Sequence, residues 1–346
     1  MSVRIGFIGA GWWSATTHAP AVASSAHASV VGVVDPDRVR ADEFVRRFGG
    51  EVHADVTSLL REGAPDGVVV ATPHATHAPI SRTAIEHGVG VLVEKPVALT
   101  AADARALRDL AHESAVPLIV SHPYLFHPLT PRVRSLLADG AIGDLVSVTG
   151  AFDSVVAHLI RGRLDDGPAR DYQGFAPQAG TYSDPALAGG GQGQSQFGHL
   201  VSLLFAEIDR PLVRVSANML WERPPMDIAL GATAMTADGA VVSLASAGTV
   251  RHWDDRTAWL RYTGTDGWLL HDAMHGRITA SAGVLTDTDA EGSGSPYPAS
   301  APVLALIDVL RGETRSGDIL ADPANGAATV EFVEACYASA LAATET

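Results

Sequence analysis

Lys95 is the one lysine in a chain whose 24 lysines and arginines are otherwise all arginine. It follows the apolar run VGVLV (89–93) and precedes Pro96. A continuous Val/Leu run of this kind reads as a parallel strand covered on both faces. Ligands of open α/β sheets bind beyond the carboxyl ends of such strands. Arginine keeps its proton in a protein, whereas a desolvated lysine titrates near neutral pH. Lys95 is therefore a candidate for a cation that also moves a proton. A second constellation, G9-A-G11-W-W-S14, follows the first apolar run and opens a helical stretch. It is G-x-G-x-x-G with Ser14 in the third place. Gly9 permits the tight turn, and Gly11 lets a pyrophosphate approach the backbone at a helix N-terminus. Asp35 ends the second apolar run. A carboxylate there accepts hydrogen bonds from adenosine ribose hydroxyls and repels a 2′-phosphate, which favours NAD; Arg38 and Arg40 keep NADP open. Trp12 and Trp13 are expected to pack against the sheet or a cofactor. The pairs His74/His77 and His271/His275 have metal-like intervals, but no metal is expected at either, since H-D-x-x-H needs a helix to share a face.

The elements that must position these groups change character along the chain. VRIGFIG (3–9), VVGVV (30–34), GVVVATP (67–73), VGVLVEKP (89–96) and PLIVSH (117–122) alternate with helical stretches such as 36–49 and 100–114. That alternation predicts a doubly wound parallel sheet. Thr100 and Asp103 form a plausible capping pair for the second of these helices. After a linking helix at 128–140, strand-like segments 145–154, 212–221, 226–250, 257–271 and 277–281 are separated by the turn signals TADGA and TGTDG. They predict an open, mostly antiparallel sheet. The segment 155–193 lacks periodicity, residues 283–300 are polar and read as a flexible connection, and helices are expected at about 301–312 and 323–343. The expected class is α/β: a Rossmann domain at 1–123, then an α+β domain at 124–346 for substrate binding and oligomerisation.

Composition narrows the partners. At 346 residues two domains are expected, and 47% apolar content excludes a disordered chain. A net charge of −15 argues against nucleic acid and anionic membrane surfaces as partners. No apolar run approaches membrane-spanning length, and the opening MSVRIGFIGAGWW enters a strand at once without a leader layout. A single cysteine, Cys336, allows no intrachain disulfide and is expected in a helical core. The expected location is cytoplasmic.

In GFIGAGWW (6–13), VVATPHATHAPISRTAIEHG (69–88), VLVEKPVALT (91–100) and YSDPALAGGGQGQSQFGHL (182–200) the chain resembles the glucose–fructose oxidoreductase, inositol dehydrogenase and MocA family. The likeness implies a Rossmann domain followed by an open-sheet domain, NAD(P) as cofactor, and oxidation or reduction of sugars, polyols or their derivatives. It places Lys95 on the lysine of the E-K-P signature and His199 on the catalytic histidine. The family aspartate falls on Ser195, four residues before His199 and on the same helical face. Ser195 can touch substrate or imidazole but carries no charge, so Lys95 takes a larger share of the work. Phe197 stands where glycine is frequent, and His74 where asparagine is usual. Thr72, Pro73, His74, His77, Glu94, Lys95 and Pro96 join Gly9, Gly11, Trp12, Trp13, Asp35 and Arg38 as cofactor contacts.

His122, Tyr124, Tyr182 and Gln196 join Lys95 and His199 as substrate contacts. Gln192, Gln194 and Gln196 suit a neutral polyhydroxylated ligand. Three readings stand open: a dehydrogenase or reductase releasing its nicotinamide product; a redox-neutral sugar-modifying enzyme (epimerisation, elimination or glycoside cleavage) that recycles bound NAD; and a non-catalytic NAD(H) sensor. A homo-dimer or homo-tetramer is expected from the exposed sheet face.

Overall fold

The computed structural model describes residues 2–167, 172–178, 180–281 and 295–344. Of the expected polar connection at 283–300, only 295–300 lie among them. The chain divides into two compact units, each built from three segments: Met1–Pro123, Ala169–Thr181 and Ala299–Ala327 in one; Tyr124–Pro168, Tyr182–Pro298 and Ala328–Thr346 in the other.

The first unit holds six strands, β1 (Val3–Ile8), β2 (Ala28–Val34), β3 (Glu51–Val52), β4 (Gly67–Val70), β5 (Gly90–Glu94) and β6 (Leu118–Ser121). All pair in parallel in the order β3-β2-β1-β4-β5-β6. The order reverses between β1 and β4, which creates the crevice that takes nucleotides in doubly wound sheets. Every residue of β4 and β6 is buried, as the apolar runs require. The helix Ala301–Leu310 returns to this sheet so closely that a Cβ on Gly67 would lie 2.7 Å from Leu310 Cδ1. That return is why a late segment belongs to the N-terminal unit. Thr100 and Asp103 cap the helix Ala101–Ser114 reciprocally: Thr100 Oγ1 accepts from Asp103 N at 3.1 Å and donates to Asp103 Oδ2 at 2.8 Å.

The second unit holds β7 (Leu145–Asp153), β8 (Leu212–Arg223), β9 (Met226–Thr236), β10 (Val241–Ala247), β11 (Thr257–Gly264), β12 (Trp268–Asp272) and β13 (Arg277–Ala280), in the order β13-β12-β11-β7-β10-β9-β8. Its pairs are antiparallel except β7 with β10, which run parallel at the centre. Alternation is clean in β10, where Val242, Leu244 and Ser246 point inward and Val241, Ser243 and Ala245 outward. The inward face is covered by the helix Gly198–Ile208, of which every residue but Phe205 is buried. Cys336 is fully buried, and burial pushes its thiol up to about 12.

A buried carboxylate ties that helix to the sheet. Glu207 accepts a short hydrogen bond from the Tyr262 hydroxyl of β11 and is bonded to His271 Nδ1 of β12. His271 is thus a structural partner, while His275 lies exposed against Asp272. Burial, then the charge of Glu207, pushes the Tyr262 phenol well above its ordinary range. Glu207→Ala leaves two buried polar groups unsatisfied, each costing about 1–3 kcal/mol. We expect a loss of about 3 kcal/mol, read as a lower urea midpoint, with Glu207→Gln losing less.

Candidate active site

The carboxyl edge of the six-stranded sheet gathers most of the residues singled out above. Gly9 has φ +95°, and a Cβ there would stand 2.4 Å from Ala71 O at the end of β4. Only glycine tolerates both the left-handed turn and that approach. A Cβ on Gly11 would meet nothing within 4 Å, so the backbone is open to a ligand at this point. Ser14, in place of the third glycine, is buried and donates to Gly9 O at 2.7 Å. A π-type turn, Ser14–His18, then leads into the helix Ala19–Ser24. Asp35 orders the same turn, accepting from Ala10 N at 2.8 Å and Asp37 N at 2.9 Å. Each carboxylate oxygen keeps a second lone-pair direction for a ribose hydroxyl. The residues therefore fit a dinucleotide. Arg38 is exposed and paired with Asp42 at 3.0 Å.

Behind this turn two histidines hold the neighbouring strand ends. His18 Nε2 lies 2.8 Å from Glu94 Oε1, with the His18 side chain fully buried. His77 is fully buried too, its Nδ1 2.7 Å from Pro96 O and its Nε2 2.8 Å from Thr72 O. Burial chiefly lowers the His77 pKa, against the pull of the two carbonyls and Glu94. The expected cofactor contact His77 is thus held between Thr72 and Pro96, and as a neutral ring it donates to one of the two carbonyls at a time. Thr76 Oγ1 adds bonds to Thr72 Oγ1 at 2.7 Å and Pro73 O at 2.8 Å. His74 is buried beside His77, with ring centroids 5.7 Å apart.

Glu94 and Lys95 shape each other. Burial raises the Glu94 carboxyl, but His18 and then Lys95 outweigh it and hold the pKa below the ordinary range. Burial lowers the Lys95 pKa, with Glu94 opposing. The Lys95–Pro96 peptide bond is cis. On the neighbouring strand, His122 is buried and pushed down to about 3, first by burial and then by Lys95, so its imidazole is neutral. The edge thus offers one titratable ammonium flanked by a carboxylate and a neutral imidazole.

In the second unit His199 opens the long buried helix. Its ring stacks on Phe152 (centroids 5.4 Å, interplanar 23°) and meets Tyr124 and Tyr297 edge-on at 5.9 and 6.1 Å. Burial, the larger influence, holds the Tyr124 phenol well above its ordinary range. Tyr124 and His199 were expected at one site and are together; Phe152 and Tyr297 were missed. Phe152 is one inward position of a regular strand, and Tyr297 a lone aromatic in a polar stretch, so neither carried a local signal. Ser195 donates to Gly191 O at 2.7 Å. An aromatic bed frames the imidazole.

The glycine-rich turn before His199 is built on Asp227 and Tyr337, which sequence reasoning also missed. A Cβ on Gly191 would stand 1.8 Å from Asp227 O. Gly191 N and Gly193 N donate to the Asp227 carboxylate at 3.1 and 2.9 Å, and the Tyr337 hydroxyl donates to it as well. Gln192 proves structural: fully buried, it accepts from Ser154 Oγ at 2.9 Å and donates to Ser246 Oγ at 2.8 Å. That corrects its reading as a ligand contact. Gln194 is buried, while Gln196 and Tyr182 are partly exposed. Asp184 caps the short helix Pro185–Ala188. Among the described residues no cluster of His, Cys, Asp or Glu could hold a metal ion, and no helix is long and apolar enough to cross a membrane.

Residues 3–122 match the model of an oxidoreductase family with an NAD-binding Rossmann fold. Inositol 2-dehydrogenase 1 of Saccharopolyspora erythraea is 39% identical over 153 residues, 43% of this chain and 45% of that protein. The chain spans about half the length of the curated relatives it matches. Over the whole fold it resembles GenD2 from gentamicin A biosynthesis, solved with NAD (25% identity, 98% of this chain and 94% of that chain, TM-score 0.77). An inositol dehydrogenase homologue from Azotobacter vinelandii, solved with NAD+, has the same fold (21% identity, 99% and 96% coverage, TM-score 0.76).

Asp227 generates a pH signature. Burial pushes it up to about 6, against the hydrogen bonds from Tyr337, Gly193 and Gly191. The folded value exceeds the unfolded one, so its contribution to stability is complete below about pH 4 and is lost as pH rises through about 6. Urea unfolding of wild type and Asp227→Asn across this range should show the wild-type advantage shrinking by about 2–3 kcal/mol toward neutral pH. A constant difference would contradict the buried, proton-retaining carboxylate.

Proposed function

We propose that the chain is a member of the glucose–fructose oxidoreductase, inositol dehydrogenase and MocA family, whose NAD-binding Rossmann fold residues 3–122 match, and that it is an NAD(P)-dependent dehydrogenase or reductase. Its substrate class is a sugar, polyol or sugar derivative, acted on at a hydroxyl or keto carbon. One observation carries this reading. The chain's single lysine stands partly buried at the carboxyl end of β5, its pKa lowered, on the sheet edge that also bears the Gly9–Gly11 turn.

The roles follow from chemistry at named atoms. Backbone N–H groups at Gly11–Trp13 would hold a pyrophosphate, and Asp35 a ribose. Thr72–His74 and Glu94–Pro96 would border the nicotinamide end, and the exposed Arg38 leaves a 2′-phosphate admissible. Bound NAD(P) supplies a hydride acceptor or donor at the nicotinamide ring. Lys95 Nζ donates a hydrogen bond to the reacting substrate oxygen, and its lowered pKa lets it take the hydroxyl proton. A guanidinium can do the first and not the second. His199 is the further proton acceptor, held in its plane by Phe152. His122, neutral and buried beside Lys95, supplies a hydrogen bond to a substrate hydroxyl, and Tyr124, Tyr182 and Gln196 of the second unit are proposed as further substrate contacts.

Ser195 favours a second reading. Ser195 places no charge four residues before His199, where the family pattern has an aspartate. An enzyme that retains NAD and returns the hydride, for epimerisation, elimination or glycoside cleavage, suits that loss. The open face of the seven-stranded sheet, where Leu220 is 61% and Val241 51% exposed, supports a second copy of this chain as partner in a dimer or tetramer. Leu220→Glu should then shift the light-scattering mass toward the protomer.

A panel of sugars and polyols, followed by nicotinamide absorbance with NAD and NADP in parallel, tests the reading. Stoichiometric coenzyme reduction supports the dehydrogenase, and product without net reduction the recycling enzyme. Tight binding without any product supports a sensor. Lys95→Arg should cut kcat by about 100-fold or more while coenzyme affinity stays within a few-fold. Undiminished turnover in that variant would remove Lys95 from the chemistry.

A further inference from the structure

Residues 172–178 come from the aperiodic stretch between β7 and the glycine-rich turn, yet they pack as part of the N-terminal unit. Phe175 is 1% exposed, 6.4 Å and perpendicular to Phe44. Phe44 in turn packs on Phe7 of β1 and on Phe48. The Arg47 guanidinium covers the Phe175 ring at 4.9 Å, and Arg40 Nη2 donates to Ala176 O at 3.5 Å. The segment is therefore bound along the helix Arg38–Phe48, which begins three residues after Asp35. A tight turn directs its other end. Phe175 N donates to Tyr172 O at 2.9 Å, with Gln173 at φ 52° and Gly174 at φ 84°. Two successive left-handed residues make this a type I′ geometry. The turn brings Tyr172 edge-on to Trp12, with centroids 5.9 Å apart. Trp12 directly follows Gly11, the position whose backbone is open.

We propose that residues 172–178 form a strap over the dinucleotide turn, with Phe175 as its anchor and Tyr172 on Trp12 as its closing contact, and that the strap slows coenzyme release. The proposal rests on the dinucleotide-binding reading above. The strap touches the two elements that flank the adenosine half of the crevice, the turn after β1 and the helix after β2. It adds no charge there, so it acts on the dissociation rate more than on electrostatic capture. A coenzyme held this way is the kind an enzyme recycles, and the strap thereby deepens the redox-neutral reading that Ser195 favours.

Stopped-flow displacement of NADH from the full chain, read by nicotinamide and tryptophan fluorescence, tests it with Phe175→Ala and Tyr172→Ala. Both should release NADH about ten-fold faster or more, with association changed little. Tyr172→Ala leaves the anchor intact and should keep the wild-type melting temperature. Wild-type release from both variants would overturn the strap. Faster release from Phe175→Ala alone, together with a lowered melting temperature, would assign Phe175 to the core of the unit and overturn it too. If the wild type binds neither NADH nor NADPH, the functional reading falls first, an outcome distinguishable because no variant is needed to see it.

Discussion

The hydrogen bond between His18 and Glu94, 2.8 Å long and almost wholly buried, is the interaction on which the arrangement of the N-terminal unit turns. It joins the π-type turn after β1 to the last residue of β5, and so ties the dinucleotide turn to the backbone that presents Lys95. Burial alone would drive Glu94 toward its neutral form and leave Lys95 without a counter-charge. His18 reverses that for the carboxylate, and the carboxylate then opposes the burial that lowers Lys95. Burial and Glu94 thus act on Lys95 in opposite directions, burial the more strongly.

The same device recurs in both units: a buried or half-buried carboxylate collects backbone N–H groups and fixes a glycine turn. Asp35 does this for Ala10 and Asp37, and Asp227 for Gly191 and Gly193. Glycine supplies backbone that can approach closely, and the carboxylate supplies the reason it holds one shape. Gln192 extends the scheme, bridging two segments with both ends of a polar side chain. The side chains proposed to meet a ligand are thus set among others that serve the scaffold.

The positions legible without coordinates were those whose chemistry is local. Gly9, Gly11 and Asp35 declare themselves because a turn, an open backbone and a strand-end carboxylate have fixed spacings, and Lys95 because it is alone of its kind. Gln192 was misread since a glutamine beside a histidine looks the same in sequence whether it faces a ligand or a serine. Asp227 and Tyr337 were invisible, being 110 residues apart and meeting only in the fold.

Apolar periodicity, glycine turns and strand-end residues determined the parallel sheet, the mostly antiparallel sheet and the edge where the chemistry gathers. Each of those follows from backbone sterics and burial over a few consecutive residues. Tertiary structure alone decided which polar groups are spent on the scaffold, that Phe152, Tyr124 and Tyr297 frame His199, and that residues 172–178 return to the helix after β2. Those outcomes depend on contacts between distant segments, whose energies exist only once the chain has closed the loops that bring them together.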